Sequence, residues 1–388
     1  MLSKQVNRRE FIQRTILSAS TLPLAAATAP LLAEGAVSTG NPLPRWRGFN
    51  LTDFNSPNPS RGSRWGTTEE DLKWMVDWGF DFIRVPMAYP RYLTFDRSKH
   101  ITPEEVYHVN EEEVQRIEAF ARNANEHGLH VSLNLHRAPG YCINAGFYEP
   151  YDLWKSEEAQ KAFAFHWGMW AKRFKDVPAS KISFDLLNEP AVRSDMNDQH
   201  ASSSLIPGDL YRAVAKRAVE AIRAGNPDRL ILADGNRVGN LVTPELKDLN
   251  IAQSCRGYFP GQISHYKAPW ANKDPERCPT PVWPGTMGGE QFGKNRLETY
   301  YKPWIELARS GVGVHCGECG CWNKTPHAVF LAWFGDVLDI LTQNKIGYAL
   351  WNFRGDFGIL DSRREDVEYQ DWHGHKLDSK LLDLLKRH

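Results

Sequence analysis

The pattern of apolar and polar positions is clearest from His130 to Arg137, where Val131, Leu133 and Leu135 fall on one face and His130, Ser132, Asn134 and His136 on the other. Alternation with period two is what a strand with two unlike faces produces. Shorter apolar runs predict further strands over 47–51, 81–87, 184–190, 230–234, 251–258, 312–318 and 347–353. Between them the spacing changes to that of helices. Thr67-x-x-Glu70 forms a capping box ahead of a helix with Leu72, Met75 and Val76 on one face, stopped near Gly79. Val114, Ile117 and Ala121 recur at helical spacing over 111–127, with Gly128 placed to end that helix. Further helices are predicted over 157–174, 210–224 with Gly225 as its stop, 297–309, 326–343, and from Leu377 onward.

Strands and helices alternating in this way predict a parallel sheet, and eight such units predict a closed (β/α)8 TIM barrel in one domain, 45–388. An open doubly wound sheet is the competing arrangement. Against it, the first strand lacks the Gly-x-Gly-x-x-Gly loop that a nucleotide-binding member would carry. In a barrel the apolar face of 130–137 packs on helices and the polar face points inward, toward the mouth, and such an inner face calls for a function. Two loops stand out: 138–154, rich in Gly and aromatics, and 267–291, rich in Pro, Gly and Trp. The second is too long for a simple connection and is expected to wall a binding cleft.

The 388 residues carry 47 basic and 47 acidic side chains. That balance removes the electrostatic footprint of a nucleic-acid binder and favours a neutral polymer as partner. The 14 Trp fit such a partner, because an indole face covers the C–H face of a sugar ring, although most belong to the core. Residues 1–33 read as an export signal: Lys4, Arg8, Arg9 and Arg14 precede an Ala-rich apolar run to Ala29, with small-residue cleavage sequences at Ala27-Thr28-Ala29 and Leu31-Leu32-Ala33. Within it, Asn7-Arg8-Arg9-Glu10-Phe11-Ile12-Gln13 resembles the twin-arginine pattern, with Ile12 and Gln13 where that pattern has Leu and Lys. Ordinary secretion is the alternative route. Ser, Thr and Pro interrupt the run before the ~20 apolar residues of a membrane span. A short linker, 34–44, comes next, and the mature chain is expected in the periplasm or outside the cell, with no membrane partner.

Six cysteines remain: Cys142, Cys255, Cys278, Cys316, Cys319 and Cys321. Export permits disulfides, but a twin-arginine substrate folds first in a reducing cytoplasm, so their pairing stays open. His315-Cys316-x-x-Cys319-x-Cys321 invites a zinc reading. Strand alternation sends Cys316 to one face and His315, Cys319 and Cys321 to the other, so the four do not converge and no metal is expected.

The candidate chemistry begins at Phe184-Asp185-Leu186-Leu187-Asn188-Glu189-Pro190, an apolar strand that Pro190 stops where a carboxylate is delivered. A second strand-end acid is Glu318, in Gly317-Glu318-Cys319-Gly320 on the seventh strand. Strands four and seven lie on opposite sides of an eight-stranded mouth, so their acids can face each other across it. Cleaving a glycosidic bond with retention needs such a pair, roughly 5–5.5 Å apart, one as acid/base and one as nucleophile.

The Asn-Glu-Pro stretch resembles the acid/base motif of glycoside hydrolase family 5, the cellulase family built on a (β/α)8 barrel, and the resemblance runs from about Arg47 to Phe353. It implies Glu189 as acid/base and Glu318 as nucleophile. Arg84, in Phe82-Ile83-Arg84-Val85-Pro86, matches the family arginine beside the nucleophile. His136, in Leu135-His136-Arg137-Ala138-Pro139, matches the histidine that contacts the sugar in the cleaved subsite. Asn188 matches the asparagine that hydrogen-bonds the sugar 2-hydroxyl, and Trp351 the aromatic floor under the ring. At the sixth strand the family often shows His-x-Tyr-x-Pro. Here Arg256-Gly257-Tyr258-Phe259-Pro260 keeps Tyr258 and has Arg256 for the histidine, so His265 in the next loop is read as the substitute imidazole. A negative Glu318 is expected to raise the pKa of Glu189.

Together these residues predict an exported retaining glycoside hydrolase acting on a polysaccharide or oligosaccharide without a cofactor, an endo-β-1,4-glucanase first. The alternatives are the same mechanism on mannan, β-1,3-glucan or xyloglucan, and a barrel that binds carbohydrate without cutting it. A metallohydrolase would need His-x-His at an early strand end, whereas His373-x-His375 lies beyond the last strand.

Overall fold

The computed structural model describes residues 40–59 and 66–388. The export segment and the first part of the linker lie outside the described residues. The strands that form the main sheet are β1 (Arg47–Asn50), β2 (Phe82–Ala88), β3 (His130–Arg137), β4 (Ile182–Asp185), β5 (Leu230–Asp234), β6 (Ala252–Gly257), β7 (Val314–Cys319) and β8 (Gly347–Leu350). Each pairs in parallel with the next, and β1 pairs with β8, which closes a TIM barrel. Around it lie α1 (Glu69–Asp77), α2 (Glu111–Glu126), α3 (Glu157–Arg173), α4 (Gly208–Gly225), α5 (Lys294–Arg309), α6 (His327–Gln343) and α7 (Ser379–Arg387).

The apolar faces read from the sequence pack outward. Val131, Leu133 and Leu135 join Ile83, Val85 and Met87 in the layer beneath the helices, all with no exposed surface. Gly48 is required where β1 meets β2, because a Cβ there would stand 1.6 Å from the carbonyl oxygen of Phe82.

Three expectations shift. The capping box is one residue later: Thr68 caps α1 with Asp71, while Thr67 is taken by the Asp53 carboxylate, which accepts from its N–H (2.7 Å) and its hydroxyl (2.6 Å). The fifth unit has no long helix; Arg237 and Val238 at φ 51° and 63° and then Pro244 leave room only for a turn at Asn236–Gly239 and a 3₁₀ segment at Pro244–Leu249. Gly225 ends α4 without left-handed backbone, and Asn226 caps it in an extended conformation. The end of the linker is tied to the barrel: Asn41 exchanges side-chain hydrogen bonds with both backbone groups of Val314 (2.7 and 2.9 Å).

The polar face of β3 also divides. His130 does not reach the mouth; it plugs the opposite end, stacked on Trp46 at 3.7 Å, with its ring nitrogens 2.9 Å from the Ser180 carbonyl and the Ser183 hydroxyl. His315 fills the same floor beside Phe82. Burial depresses both imidazoles, to about 4 for His130 and about 3 for His315. The unfolded chain binds protons there that the fold refuses, so this contribution is complete above ~6.5 and is lost as pH falls from that value toward the folded values. We expect unfolding free energy to drop by about 1 kcal/mol or more per buried imidazole between pH 7 and pH 5, measured by denaturant titration, and His130→Asn to flatten that slope. An unchanged slope in the variant would dismiss His130 as its source.

Candidate active site

β7 reaches the mouth through a bulge. Cys316 lies opposite Cys255 on β6 and Glu318 opposite Arg256, so Gly317 is an extra residue without a partner. A bulge shifts side-chain phase by one. Glu318 therefore points into the barrel, and Cys319 joins Cys316 and Cys255 in the apolar layer outside it. Simple alternation puts Cys316 and Cys319 on opposite faces; the extra residue puts them on one. Gly317 must be glycine because a Cβ would stand 2.5 Å from Ser254 Oγ. His315 stays in the barrel floor and Cys321 turns its Sγ to the Ile263 carbonyl (3.3 Å). Among the described residues no cluster of His, Cys, Asp and Glu is arranged to hold a metal, and all six cysteines are unpaired.

β4 ends at Asp185, earlier than the 184–190 expected, but the chain beyond it stays tied to its neighbours. Leu186 N–H donates to the Leu232 carbonyl (2.9 Å) and Asn188 N–H to the Leu135 carbonyl (3.0 Å). Glu189 then adopts left-handed backbone, φ 48°, which a non-glycine residue keeps only when its surroundings hold it. Its N–H donates to Asp234 Oδ2 (2.8 Å) and its carbonyl accepts from the Tyr141 hydroxyl (2.6 Å). The next carbonyl, of Pro190, accepts from Val238 N–H (3.1 Å). The end of β5 and the segments after β3 and β5 thus fix the residue that the fourth strand delivers.

Beneath these acids lie two buried guanidiniums. Arg84 donates from Nη1 to Glu318 Oε1 (2.6 Å) and Asn50 Oδ1 (3.0 Å), from Nε to Asp185 Oδ2 (2.7 Å), and from Nη2 to Asn188 Oδ1 (2.9 Å). Arg256 donates from Nε to Glu189 Oε1 (3.2 Å), from Nη2 to Asn188 Oδ1 (3.0 Å) and Glu318 Oε1 (3.4 Å), and from Nη1 to Asp234 Oδ1 (3.0 Å), with Nη2 also on Asp234 Oδ2. Burial first, and then the Glu318 carboxylate, raise the Glu189 carboxyl well above the usual range, while Arg256 opposes the rise. Burial and Asp234 likewise raise Asp185.

Above the arginines opens a cleft of about 750 Å³, lined by Glu189, Glu318, His136, Tyr258, His265 and Trp351. Tyr258 donates its hydroxyl to Glu318 Oε2 (3.1 Å). His136 stacks on Trp351, with ring centroids 5.3 Å apart, and burial followed by Arg84 lowers its pKa to about 3, so it is neutral. Its Nδ1 and the Nδ2 of Asn188 are buried without a protein partner. His265 receives or gives a hydrogen bond at Ser264 Oγ (2.8 Å) and packs edge-on to Tyr258. Arg84 and Asn188 do not line the cleft; they sit under the carboxylates, 1% and 0% exposed. Of the 267–291 loop only the start reaches the cleft, through Trp270 to Asn272, while Trp283 is tied to α6 by Asp336 (2.9 Å). A wall that the sequence pattern does not predict comes instead from the loop after β4, through Arg193, Gln199 and Ser203. Sequence reasoning also missed Asp234 and Asn50. Both are polar residues at the C-terminal ends of predicted strands, which is the signal that could have found them.

Residues 37–356, which span this barrel, match a family model, "Cellulase (glycosyl hydrolase family 5)". The chain belongs to glycoside hydrolase family 5. Within the family it is 26% identical over 330 residues to Endoglucanase C of Acetivibrio thermocellus, covering 78% of this chain and 89% of that protein. A solved structure described as a glycoside hydrolase superposes with TM-score 0.79 at 35% identity, covering 88% of this chain and 99% of that one. Endoglucanase Cel5A from Thermotoga maritima shares the fold at 20% identity, TM-score 0.67, over 88% of this chain and 96% of its own.

The family's barrel mouth here depends on Arg84 for charge balance. Replacing Arg84 by Met leaves Asp185 and Glu318 short of a buried cation, which costs about 3–5 kcal/mol of stability. The loss should shrink at pH 4, where the orphaned carboxyls can take up protons, and equal losses at pH 7 and pH 4 by chemical denaturation would contradict this account.

Proposed function

We propose that this family 5 member is an exported retaining endo-β-1,4-glucanase, with Glu189 as acid/base and Glu318 as nucleophile. The observation that carries the reading is that one edge of one guanidinium, Arg256, reaches an oxygen of each acid. Such sharing supports the short separation of a retaining pair, about 5–5.5 Å, over the ~6.5–9.5 Å that an inverting pair needs for an intervening water. Export rests on the basic-then-apolar pattern of residues 1–33.

In the first step Glu318 attacks the anomeric carbon while Glu189 gives its proton to the departing oxygen, so a glycosyl ester replaces the glycosidic bond. In the second step Glu189, now a carboxylate, takes a proton from water as that water breaks the ester. Arg84 holds Glu318 Oε1 from below and Tyr258 steadies Oε2. The neutral His136 suits a sugar hydroxyl and Trp351 the apolar face of the ring, while Asn188, buried beneath the acids, holds both arginines through its Oδ1. His265 and Tyr258 extend the polar wall on the other side of Glu318.

A second reading keeps this mechanism and changes the sugar to mannan. It is favoured by one observation: the Thermotoga maritima Cel5A of the same fold has been crystallised with mannotriose as well as cellobiose.

Reducing-sugar release on carboxymethylcellulose, mixed-linkage glucan, mannan, xyloglucan and β-1,3-glucan tests the substrate; we expect β-1,4-glucan to be preferred, and activity confined to mannan would replace that choice. Glu189→Ala and Glu318→Ala should each lower turnover on polymer by at least ~10²–10⁴-fold with the fold intact. Normal turnover in either purified variant would remove that residue from its role. Because Glu189 must be protonated to act as an acid and its pKa is raised, kcat/KM should hold well above ~4.3 and decline only as pH rises through the raised value. An alkaline limb at the ordinary glutamate pKa would contradict the assignment.

A further inference from the structure

Position 256 holds a histidine in the common family pattern, and here it is an arginine, 1% exposed at the floor of the cleft and hemmed in by its neighbours. At Gly239, φ 74°, a Cβ would stand 2.6 Å from Arg256 Cγ, and at Gly317 one would stand 3.3 Å from Nη1. Ser254 Oγ accepts from Nη1 (3.2 Å), and the Tyr301 hydroxyl donates to the Arg256 carbonyl (3.2 Å). Asp234, fully buried, pairs with the guanidinium through both carboxylate oxygens. The same Oδ2 accepts the N–H of Glu189, so one ion pair grips Glu189 twice: Asp234 by its backbone and Arg256 by its carboxyl.

We infer that Asp234 and Arg256 form a positioning unit for the general acid, holding the carboxyl of Glu189 in one orientation and confining its transferable proton to Oε2. A guanidinium N–H only donates, so the oxygen it faces, Oε1, must accept and cannot itself carry the hydrogen toward it. Because the carbonyl oxygen of a neutral carboxyl accepts better than its hydroxyl oxygen, this contact favours Oε1 as the carbonyl and the proton on Oε2. The Oε2–H bond breaks as the leaving oxygen gains its proton, and it re-forms in the second step from the attacking water. An imidazole at 256 has two ring nitrogens and could not bond Glu189, Asn188, Glu318 and Asp234 at once. The inference rests on the reading of Glu189 as acid/base.

The test compares kcat/KM on two aryl β-glycosides of the disaccharide that the polymer assay identifies. One leaves as 2,4-dinitrophenolate, which departs without a proton, and the other as phenol, which needs one. Arg256→Gln, Asp234→Asn and the double variant Arg256→Gln/Asp234→Asn are measured against wild type and Glu189→Ala. The double variant removes a buried cation and a buried anion together, so it leaves no charge unpaired between them and keeps the fold if either single variant fails to. We expect at least ~100-fold loss on the phenyl glycoside and less than ~10-fold on the dinitrophenyl one in the double variant, because Arg84 still holds Glu318. Equal losses on both substrates, or no loss on either, would overturn the inference while leaving Glu189 as the acid if Glu189→Ala shows the split. No split in Glu189→Ala would instead remove the acid assignment and the inference with it.

Discussion

Charge brought into a barrel mouth away from water has to be compensated inside the protein, and the site is arranged around that need. Two guanidiniums, Arg84 and Arg256, lie among the carboxyl groups of Asp185, Asp234, Glu189 and Glu318. With fewer cations than acids, full ionisation would leave excess buried negative charge. The raised Glu189 carboxyl, and Asp185 below it, are how that excess is relieved. A carboxyl inclined to hold its proton at the barrel mouth is therefore a product of charge crowding and burial together, and the backbone of Glu189 is bent into a left-handed conformation there.

Much of the barrel was legible because its strands and helices differ in period. The alternation of 130–137, the Gly-terminated helices and the spacing of units all translate directly into β3, α2 and the closed sheet. The misses have local causes. Tandem threonines at 67 and 68 offer two caps, and only the tertiary position of Asp53 decides between them. The fifth connection has turn residues where the unit count implies a helix, and the pattern of the strands on either side gives no sign of this. His130 shares a face with His136, yet that face runs the full depth of the barrel, so its two ends meet opposite surroundings.

The site was legible where one strand end carries one acid, and less so where a side chain answers to several strands. Glu189, Glu318, Tyr258, His136 and Trp351 can be found one motif at a time. Arg256 stood out only as a mismatch, because its meaning lies in Asp234, Asn188 and Glu189, which come from two other strands. His265 does face the cleft, but the strand position left by the missing histidine is filled by the guanidinium itself.

The unpaired Gly317 gives strand pairing at that point a significance that side-chain identity lacks. Elsewhere around the mouth, loops such as the one after β4 could gain or lose residues and only reshape the cleft wall. In β7, drawing Gly317 into the ladder as an ordinary paired position would flip every later side chain to the other face, sending Glu318 out among the helices and bringing the Cys319 thiol to the mouth. The one place where the ladder skips a residue, more than the choice of any neighbour, is what aims the carboxylate.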